Sequence, residues 1–190
     1  MSALPALDCP TRPRAVLFDW DHTLVDNWDA IRAALNFTLV SFGQEAWTVE
    51  ETRARVKASL RDSFPLLFGD RWEEARTLFL DHFAENHLAV LKPLPGAADL
   101  LAHLAAEGVY MGIVSNKRGP TLRLETAHLG WDRYFGRIIG AEDAPEDKPS
   151  PIPVLMALEG SGIAPGADVW FVGDTSIDME CAHNAGCVPV

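Results

Sequence analysis

The stretch RAVLFDWDHTLVDN, residues 14–27, begins with a short apolar run and ends in closely spaced acids. Ala15–Phe18 is apolar and contains a β-branched valine, which is typical of a buried strand. Asp19 and Asp21 follow at once. Carboxylates at the end of a buried segment cost free energy unless they are paired or bind a cation. The stretch therefore predicts a buried strand whose carboxyl end has a chemical function.

Further apolar runs alternate with segments of helical character along the rest of the chain. The predicted strands are residues 15–18, 109–114, 138–139, 169–172 and 188–190, and the predicted helices are residues 99–107, 120–129, 151–159 and 177–185. Strands that alternate with helices favour an α/β fold with a doubly wound parallel sheet, a Rossmann-like core.

Residues 26–92 interrupt this alternation with a run of helical patterns. Apolar residues recur at helical spacing, at Trp28, Ile31, Leu35, Leu39 and Phe42, and again at Trp72, Ala75, Phe79 and Phe83. Residues 49–60 are also predicted to be helical. We therefore expect an α/β core from residues 1–25 and 93–190 and an inserted helical cap from residues 26–92, with hinges near residues 25–27 and 92–93.

The composition excludes several classes of protein. The 190 residues carry a formal net charge of −11, which argues against a partner that is a nucleic acid. No apolar run approaches the ~18 residues of a membrane span. The three cysteines form no CxxC pair, and the six histidines no HxH or HxxxH pair, so a cytoplasmic protein without zinc is expected. Residues 1–10, which include Cys9, are expected to form a loose arm.

Polar, reactive residues stand at or near the ends of the predicted strands. They are Asp19 with Asp21, Ser115 with Asn116, Lys148 in its loop, and Asp174. Because the carboxyl ends of parallel strands meet at one edge of a sheet, we expect these side chains to converge there.

The clustered carboxylates of Asp19, Asp21 and Asp174 repel one another and need a counter-charge. Mg²⁺ supplies one, because it prefers a few carboxylate oxygens together with waters and a substrate phosphate. Asp178, in the first turn of the last helix, can orient a metal-bound water or ligand from behind.

The remaining residues suit a phosphoryl group. The hydroxyl of Ser115, the amide of Asn116 and the ammonium of Lys148 can bind its non-bridging oxygens. An aspartate can attack phosphorus to form an aspartyl-phosphate. A second acid two residues later can protonate the leaving alcohol and then activate water.

Four motifs, taken together, resemble the haloacid dehalogenase-like superfamily, in the branch that has a helical cap after the first strand. LFDWDHTLVDN resembles its DxDGT segment, VSNK its serine or threonine motif, EDKPSP its lysine motif and FVGDTSIDMECAHNAG its acidic motif. They occur in the family's order over most of the chain. Within the superfamily the sequence is most similar to phosphoglycolate phosphatase-like proteins.

The resemblance implies a role for each matching residue. Asp19 would be the nucleophile, Asp21 the general acid and base, and Lys148 the residue that steadies the aspartyl-phosphate. The substrate phosphate would be bound by Ser115, Asn116 and Lys148, with Thr23 positioning the turn or the phosphate. Asp174 would ligate magnesium together with Asp19 and the backbone carbonyl of Asp21, supported by Asp178, and the cap would be a lid.

The sequence departs from the family pattern at two places. His22 stands where the family usually has glycine, and we interpret it as a turn residue, because histidine tolerates positive φ better than most residues; a second acid or base is the alternative. The chain also ends at Val190, where family members commonly continue, so either a fragment or a short sheet edge is expected.

The expected function is that of a magnesium-dependent phosphatase acting on a small phosphorylated metabolite, a phosphate monoester similar to phosphoglycolate. A sugar-phosphate mutase, or a non-enzymatic phospho-aspartate receiver or binding-only relative, is the alternative. Basic residues of the cap, namely Arg53, Arg55, Lys57 and Arg61, form either a solvated helix face or a grip on a substrate carboxylate. The same two alternatives, a solvated surface or a grip on the substrate, are left open for Lys117 and Arg118. The chain is expected to be a monomer or a homodimer.

Overall fold

The computed structural model describes residues 12–56 and 58–190. The predicted arm at residues 1–10 and the cap residue Lys57 lie outside the described residues. The strands are β1 (Ala15–Phe18), β2 (Val25–Asp26), β3 (Lys92–Pro93), β4 (Tyr110–Arg118), β5 (Arg137–Ala141), β6 (Val169–Val172) and β7 (Val188–Pro189). The α-helices are α1 (Trp28–Ser41), α2 (Val49–Arg55), α3 (Leu60–Phe68), α4 (Trp72–Val90), α5 (Ala97–Ala106), α6 (Gly119–His128), α7 (Ile152–Leu158) and α8 (Ser176–Ala185).

A parallel sheet of five strands, in the order β5-β4-β1-β6-β7, forms the centre of the core. Alternate residues of β1 point to opposite faces. Phe18 packs in one cluster with Leu101 of α5 and Leu122 of α6, whereas Leu17 packs in another with Val154 of α7 and with α8. Helices therefore cover both faces, and the predicted doubly wound fold is confirmed.

Strand β4 extends further than predicted. It runs through Ser115 and Asn116 to Arg118, so these residues lie in the strand rather than in the loop after it. The pairing with β5 shifts register between Val114 and Arg118. The carboxyl end of β4 lies at the carboxyl edge of the sheet, where Asp19 directly follows the neighbouring strand β1.

Helices α1 to α4 lie between β2 and β3 and pack around an apolar cluster of their own. The single helix predicted over residues 49–60 is wrong: α2 ends at Arg55, and α3 begins at Leu60, because Val56 and Ser59 have extended dihedral angles. The sequence did not predict α3, which contains Pro65. Phe64 and Phe68 are buried in the cluster, and this burial offsets the hydrogen bond that proline removes from a helix.

Strands β2 and β3 form a two-stranded antiparallel ribbon at the predicted hinges. Val25 pairs with Pro93 and Asp26 with Lys92, and the Leu94 amide donates to the Leu24 carbonyl at 3.0 Å. The helical insertion thus leaves the core and returns to it through two segments that are bonded to each other.

Candidate active site

Asp19 follows β1 and lies at the centre of a buried charge cluster. The Lys148 Nζ donates to Asp19 Oδ1 at 2.7 Å and to Asp178 Oδ1 at 2.6 Å. Burial, helped by the charges of Asp178 and Asp21, raises the pKa of Asp19 to about 6 against the opposing effect of Lys148. Burial would lower the pKa of Lys148, but the two carboxylates raise it above its usual value. The ammonium is therefore a permanent positive charge between two acids.

Asp174, after β6, completes an acidic group with Asp19 and Asp178. Carboxylate oxygens of the three residues lie within 4.8 Å of one another. Partial burial and the charge of Asp178 raise the pKa of Asp174. Hard oxygen donors that repel one another at this spacing fit a hard divalent cation. The group could thus hold a metal ion. It includes the side chain of Asp178, which the sequence analysis predicted to orient a metal-bound water or ligand rather than to bind the metal itself.

Asp178 also fixes the turn between β6 and α8. Its Oδ2 accepts hydrogen bonds from the Thr175 amide at 2.9 Å and from the Thr175 hydroxyl at 2.6 Å. A Cβ at Gly173 would lie 2.4 Å from Asp178 Cβ, so only glycine allows α8 to approach the strand end this closely. Asp178 therefore caps its helix and also bonds Lys148, a contact that the sequence did not predict.

Asn116 connects β4 to the loop of Lys148. Its Nδ2 donates to the Lys148 carbonyl at 3.1 Å, and its Oδ1 accepts from the Lys148 amide at 3.0 Å. Both ends of the amide thus hold the lysine backbone, and direct phosphate binding by Asn116 stays a prediction. Ser115 is buried next to it and lines the cavity described below.

The turn after Asp21 follows the sequence interpretation. His22 has φ of 65°, so its prediction as a turn residue of positive φ is confirmed. Its ring stacks on Trp28, with centroids 3.7 Å apart, and burial lowers the pKa of the imidazole to about 4. Thr23 lies in the same turn; among the described residues its buried hydroxyl has no hydrogen-bond partner, and its role at the phosphate stays a prediction.

A cavity of about 140 Å³ opens above these residues. The core contributes a polar floor that includes Asp19, Asp21, Ser115, Lys148 and Asp174. The insertion contributes an apolar wall, formed by Ile31, Val56, Ala58, Leu60, Phe79, Leu80 and Phe83. The site thus lies between the sheet edge and the helical insertion.

The described basic residues of the insertion have partners of different kinds. Arg61 forms an ion pair with the buried carboxylate of Asp147, with 2.6 Å between Nε and Oδ2, and so connects the insertion to the core. Arg55 pairs with Glu51 on the same helix, and Arg53 lies over the ring of Trp28. Arg55 therefore fits the solvated helix face that the sequence offered as one alternative, whereas Arg61 is a contact between the two parts of the chain.

Comparison with known proteins agrees with this geometry. Residues 16–190 match the profile of the haloacid dehalogenase-like hydrolases. The chain belongs to this family. The predicted membership, based on four motifs, is therefore confirmed, and the protein is a hydrolase of this family.

Two curated relatives of this haloacid dehalogenase-like hydrolase are named phosphoglycolate phosphatases. The chain is 34% identical to phosphoglycolate phosphatase 1 of Pseudomonas aeruginosa, over 98% of its own length and 71% of the relative's. It is 33% identical to phosphoglycolate phosphatase of Aquifex aeolicus, over 91% and 81% of the two chains. The crystal structure of a hydrolase of the superfamily from Ehrlichia chaffeensis superposes with a TM-score of 0.66 at 35% identity, over 94% and 86% of the chains.

No helix among the described residues of the hydrolase is both long and apolar enough to cross a membrane.

The sequence interpretation missed a second buried charge cluster of the hydrolase, beside Asp21. The Lys117 Nζ donates to Asp21 Oδ1 and to Glu125 Oε2, both at 2.7 Å. The other oxygen of Glu125 lies 2.7 Å from His87 Nδ1. Two signals were present: His87 continues the apolar stripe of Phe79 and Phe83 at a spacing of four, and Glu125 lies in the mainly apolar face of its helix.

Proposed function

We propose that this hydrolase is a magnesium-dependent phosphatase that cleaves a small phosphate monoester through an aspartyl-phosphate on Asp19. The observation that carries the proposal is the arrangement of Asp19, which is bonded to Lys148, belongs to a three-carboxylate group and lines a cavity between the core and the insertion. The relatives named phosphoglycolate phosphatases make phosphoglycolate the first substrate to test.

Asp19 is the nucleophile in this mechanism. Its carboxylate attacks phosphorus, the bond between phosphorus and the ester oxygen breaks, and the alcohol leaves. Lys148 holds Asp19 in place and provides positive charge where the phosphoryl oxygens gather negative charge. A bound Mg²⁺, held by Asp19, Asp174 and the backbone carbonyl of Asp21 with Asp178 in support, would add further positive charge at the phosphoryl oxygens.

Asp21 is the proton donor and acceptor. It lines the same cavity as Asp19, two residues further along the chain. Its protonated carboxyl gives a proton to the departing alkoxide, and the resulting carboxylate then takes a proton from the water that attacks the aspartyl-phosphate. Water releases inorganic phosphate and regenerates Asp19.

The helical insertion is the lid in this proposal. Residues 26–92 form the cap, and residues 1–25 and 93–190 form the core. The apolar wall that the insertion places over the cavity limits the entry of bulk water during the first transfer, which protects the acyl-phosphate.

Phosphate release tests the proposal. Purified protein is incubated with phosphoglycolate and a panel of other small phosphate esters, once with Mg²⁺ and once with chelator. We expect release that depends on Mg²⁺ and that falls to background in Asp19→Asn. Asp99→Asn, an exposed acid in the first turn of α5, is the matched control and should keep full activity. Release by folded Asp19→Asn at the wild-type rate would overturn the mechanism.

A further inference from the structure

The ammonium of Lys117 is buried and contacts the partly buried carboxylate of Asp21. The Lys117 side chain is only 7% exposed, and its ammonium lies 2.7 Å from one oxygen of Asp21 and 2.7 Å from one oxygen of Glu125. The ring of Phe83, on helix α4 of the insertion, lies 5.2 Å from the same nitrogen. The ammonium is thus enclosed by the sheet edge, by α6 and by the insertion.

Glu125 is itself fully engaged. It is completely buried, and it accepts a hydrogen bond from Trp20 Nε1 at 2.7 Å in addition to its contacts with Lys117 and His87. Burial would raise the pKa of Glu125, but Lys117, His87 and Trp20 together lower it below its usual value. A buried carboxylate accepts only, so the Nδ1 of His87 carries the proton of that contact. The network therefore joins three segments that are far apart in sequence.

Two hydrogen bonds to Asp21 define the orientation of its carboxylate. Lys117 and the Asn27 amide nitrogen both donate to the same oxygen, Oδ1, at 2.7 Å and 2.5 Å. An oxygen that accepts two such bonds is a poor site for a proton. The proton that a general acid delivers is therefore carried by Oδ2.

We propose that Lys117 is the positioning residue for Asp21, and that Glu125 and His87 hold Lys117 so that seating of the helical insertion sets the orientation of the proton donor. The inference rests on the proposed function of Asp21 as general acid and base. Lys117 acts through Asp21 and needs no contact with the substrate. His87 lies on α4, which leads directly into β3, so displacement of the insertion also removes a partner of Glu125.

Two esters of different leaving-group basicity separate this role from a structural one. An alkyl alkoxide needs protonation as it leaves, whereas 4-nitrophenolate leaves without it. The values of kcat/KM are measured with Mg²⁺ for 4-nitrophenyl phosphate and for the best alkyl ester of the panel, because kcat/KM reports the first transfer step. The variants are Lys117→Met, Glu125→Gln and His87→Leu. Arg123→Met is the control, since Arg123, on α6, forms a partly exposed ion pair with Asp143.

We expect Lys117→Met to lower kcat/KM for the alkyl ester at least about tenfold more than for the aryl ester, as part of the 10²- to 10⁴-fold effect of general acid catalysis. Glu125→Gln and His87→Leu should shift the same ratio in the same direction, and Lys117→Arg should restore most of it. Arg123→Met should leave the ratio unchanged.

An unchanged ratio of kcat/KM for the alkyl ester to that for the aryl ester would overturn the inference, whether both values fall equally or neither falls. Equal losses would point to loss of folding or of phosphate binding, because either affects both esters alike. Circular dichroism shows which variants are folded, and the folded members of the set decide the outcome. A wild-type protein that hydrolyses neither ester would instead contradict the proposed function.

Discussion

Replacement of Lys148 by methionine should destabilise the metal-free protein strongly. The ammonium bonds two carboxylates, and the exposed fractions of Lys148, Asp19 and Asp178 are 4%, 7% and 1%. Methionine keeps most of the volume of the stem, so the change removes the charge rather than the packing. Breaking a buried ion pair by removing one partner costs about 3–5 kcal/mol, because the other charge stays buried without compensation. We expect a loss in the free energy of unfolding in that range.

Urea denaturation at neutral pH in the presence of chelator measures this loss. Arg137→Met is the matched control, because its ion pair with Glu159 has exposed fractions of 47% and 69% and should contribute at most about 1 kcal/mol. Without Lys148, the folded-state pKa of Asp19 must rise further, because the ammonium that lowers it is gone. The penalty is therefore present at neutral pH and shrinks as acidification protonates this carboxyl.

A second substitution separates charge from packing. Asp19→Asn in the Lys148→Met background removes one of the two uncompensated charges and should recover part of the lost stability. The assignment of Lys148 as the counter-charge of the buried acids would be refuted by either of two results. One is a loss in the free energy of unfolding of Lys148→Met that is no larger than that of Arg137→Met. The other is a loss that does not depend on pH.

Two other predictions concern the same edge of the sheet. The pKa of Asp19 is raised from 3.8 to about 6, chiefly by burial. Its contribution to stability is therefore complete below pH 3.8 and is lost as the pH rises through about 6. Urea denaturation of the metal-free protein should show this decline in the wild type relative to Asp19→Asn. In Gly173→Ala the new Cβ would lie 2.4 Å from Asp178 Cβ. Such overpacking should lower the free energy of unfolding by about 1–3 kcal/mol and reduce phosphate release. Gly166→Ala is the control and should change neither, because its new Cβ would lie 3.3 Å from the nearest atom, Asp168 Oδ1. A Gly173→Ala protein as stable as the wild type would show that α8 can move away without cost.

The sequence predicted the parts of the site that depend on local pattern and topology. Asp19 and Asp174 were predicted to converge because both follow buried parallel strands, and the structure brings them together. The positive φ of His22 was also predictable, because it depends on one residue type in one turn.

The contacts that the sequence could not predict join residues far apart in the chain. Asn116 holds the backbone of Lys148, 32 residues away, and His87 meets Glu125, 38 residues away. Each of these side chains is compatible locally with a solvated or a buried position, and only the tertiary packing decides between them. The break between α2 and α3 is likewise absent from the apolar pattern, because it depends on the extended backbone at Val56 and Ser59.

The ribbon of β2 and β3 has a consequence for how such a protein can diversify. Because Asp26 pairs with Lys92, the first and last residues of the insertion are neighbours, separated by about one strand spacing of 4.8 Å. A segment with adjacent ends can be lengthened, shortened or exchanged without altering the register of the central sheet. We therefore expect this ribbon to accept grafted modules of different size, so that selectivity for the leaving group can be inherited separately from the acids that perform the transfer.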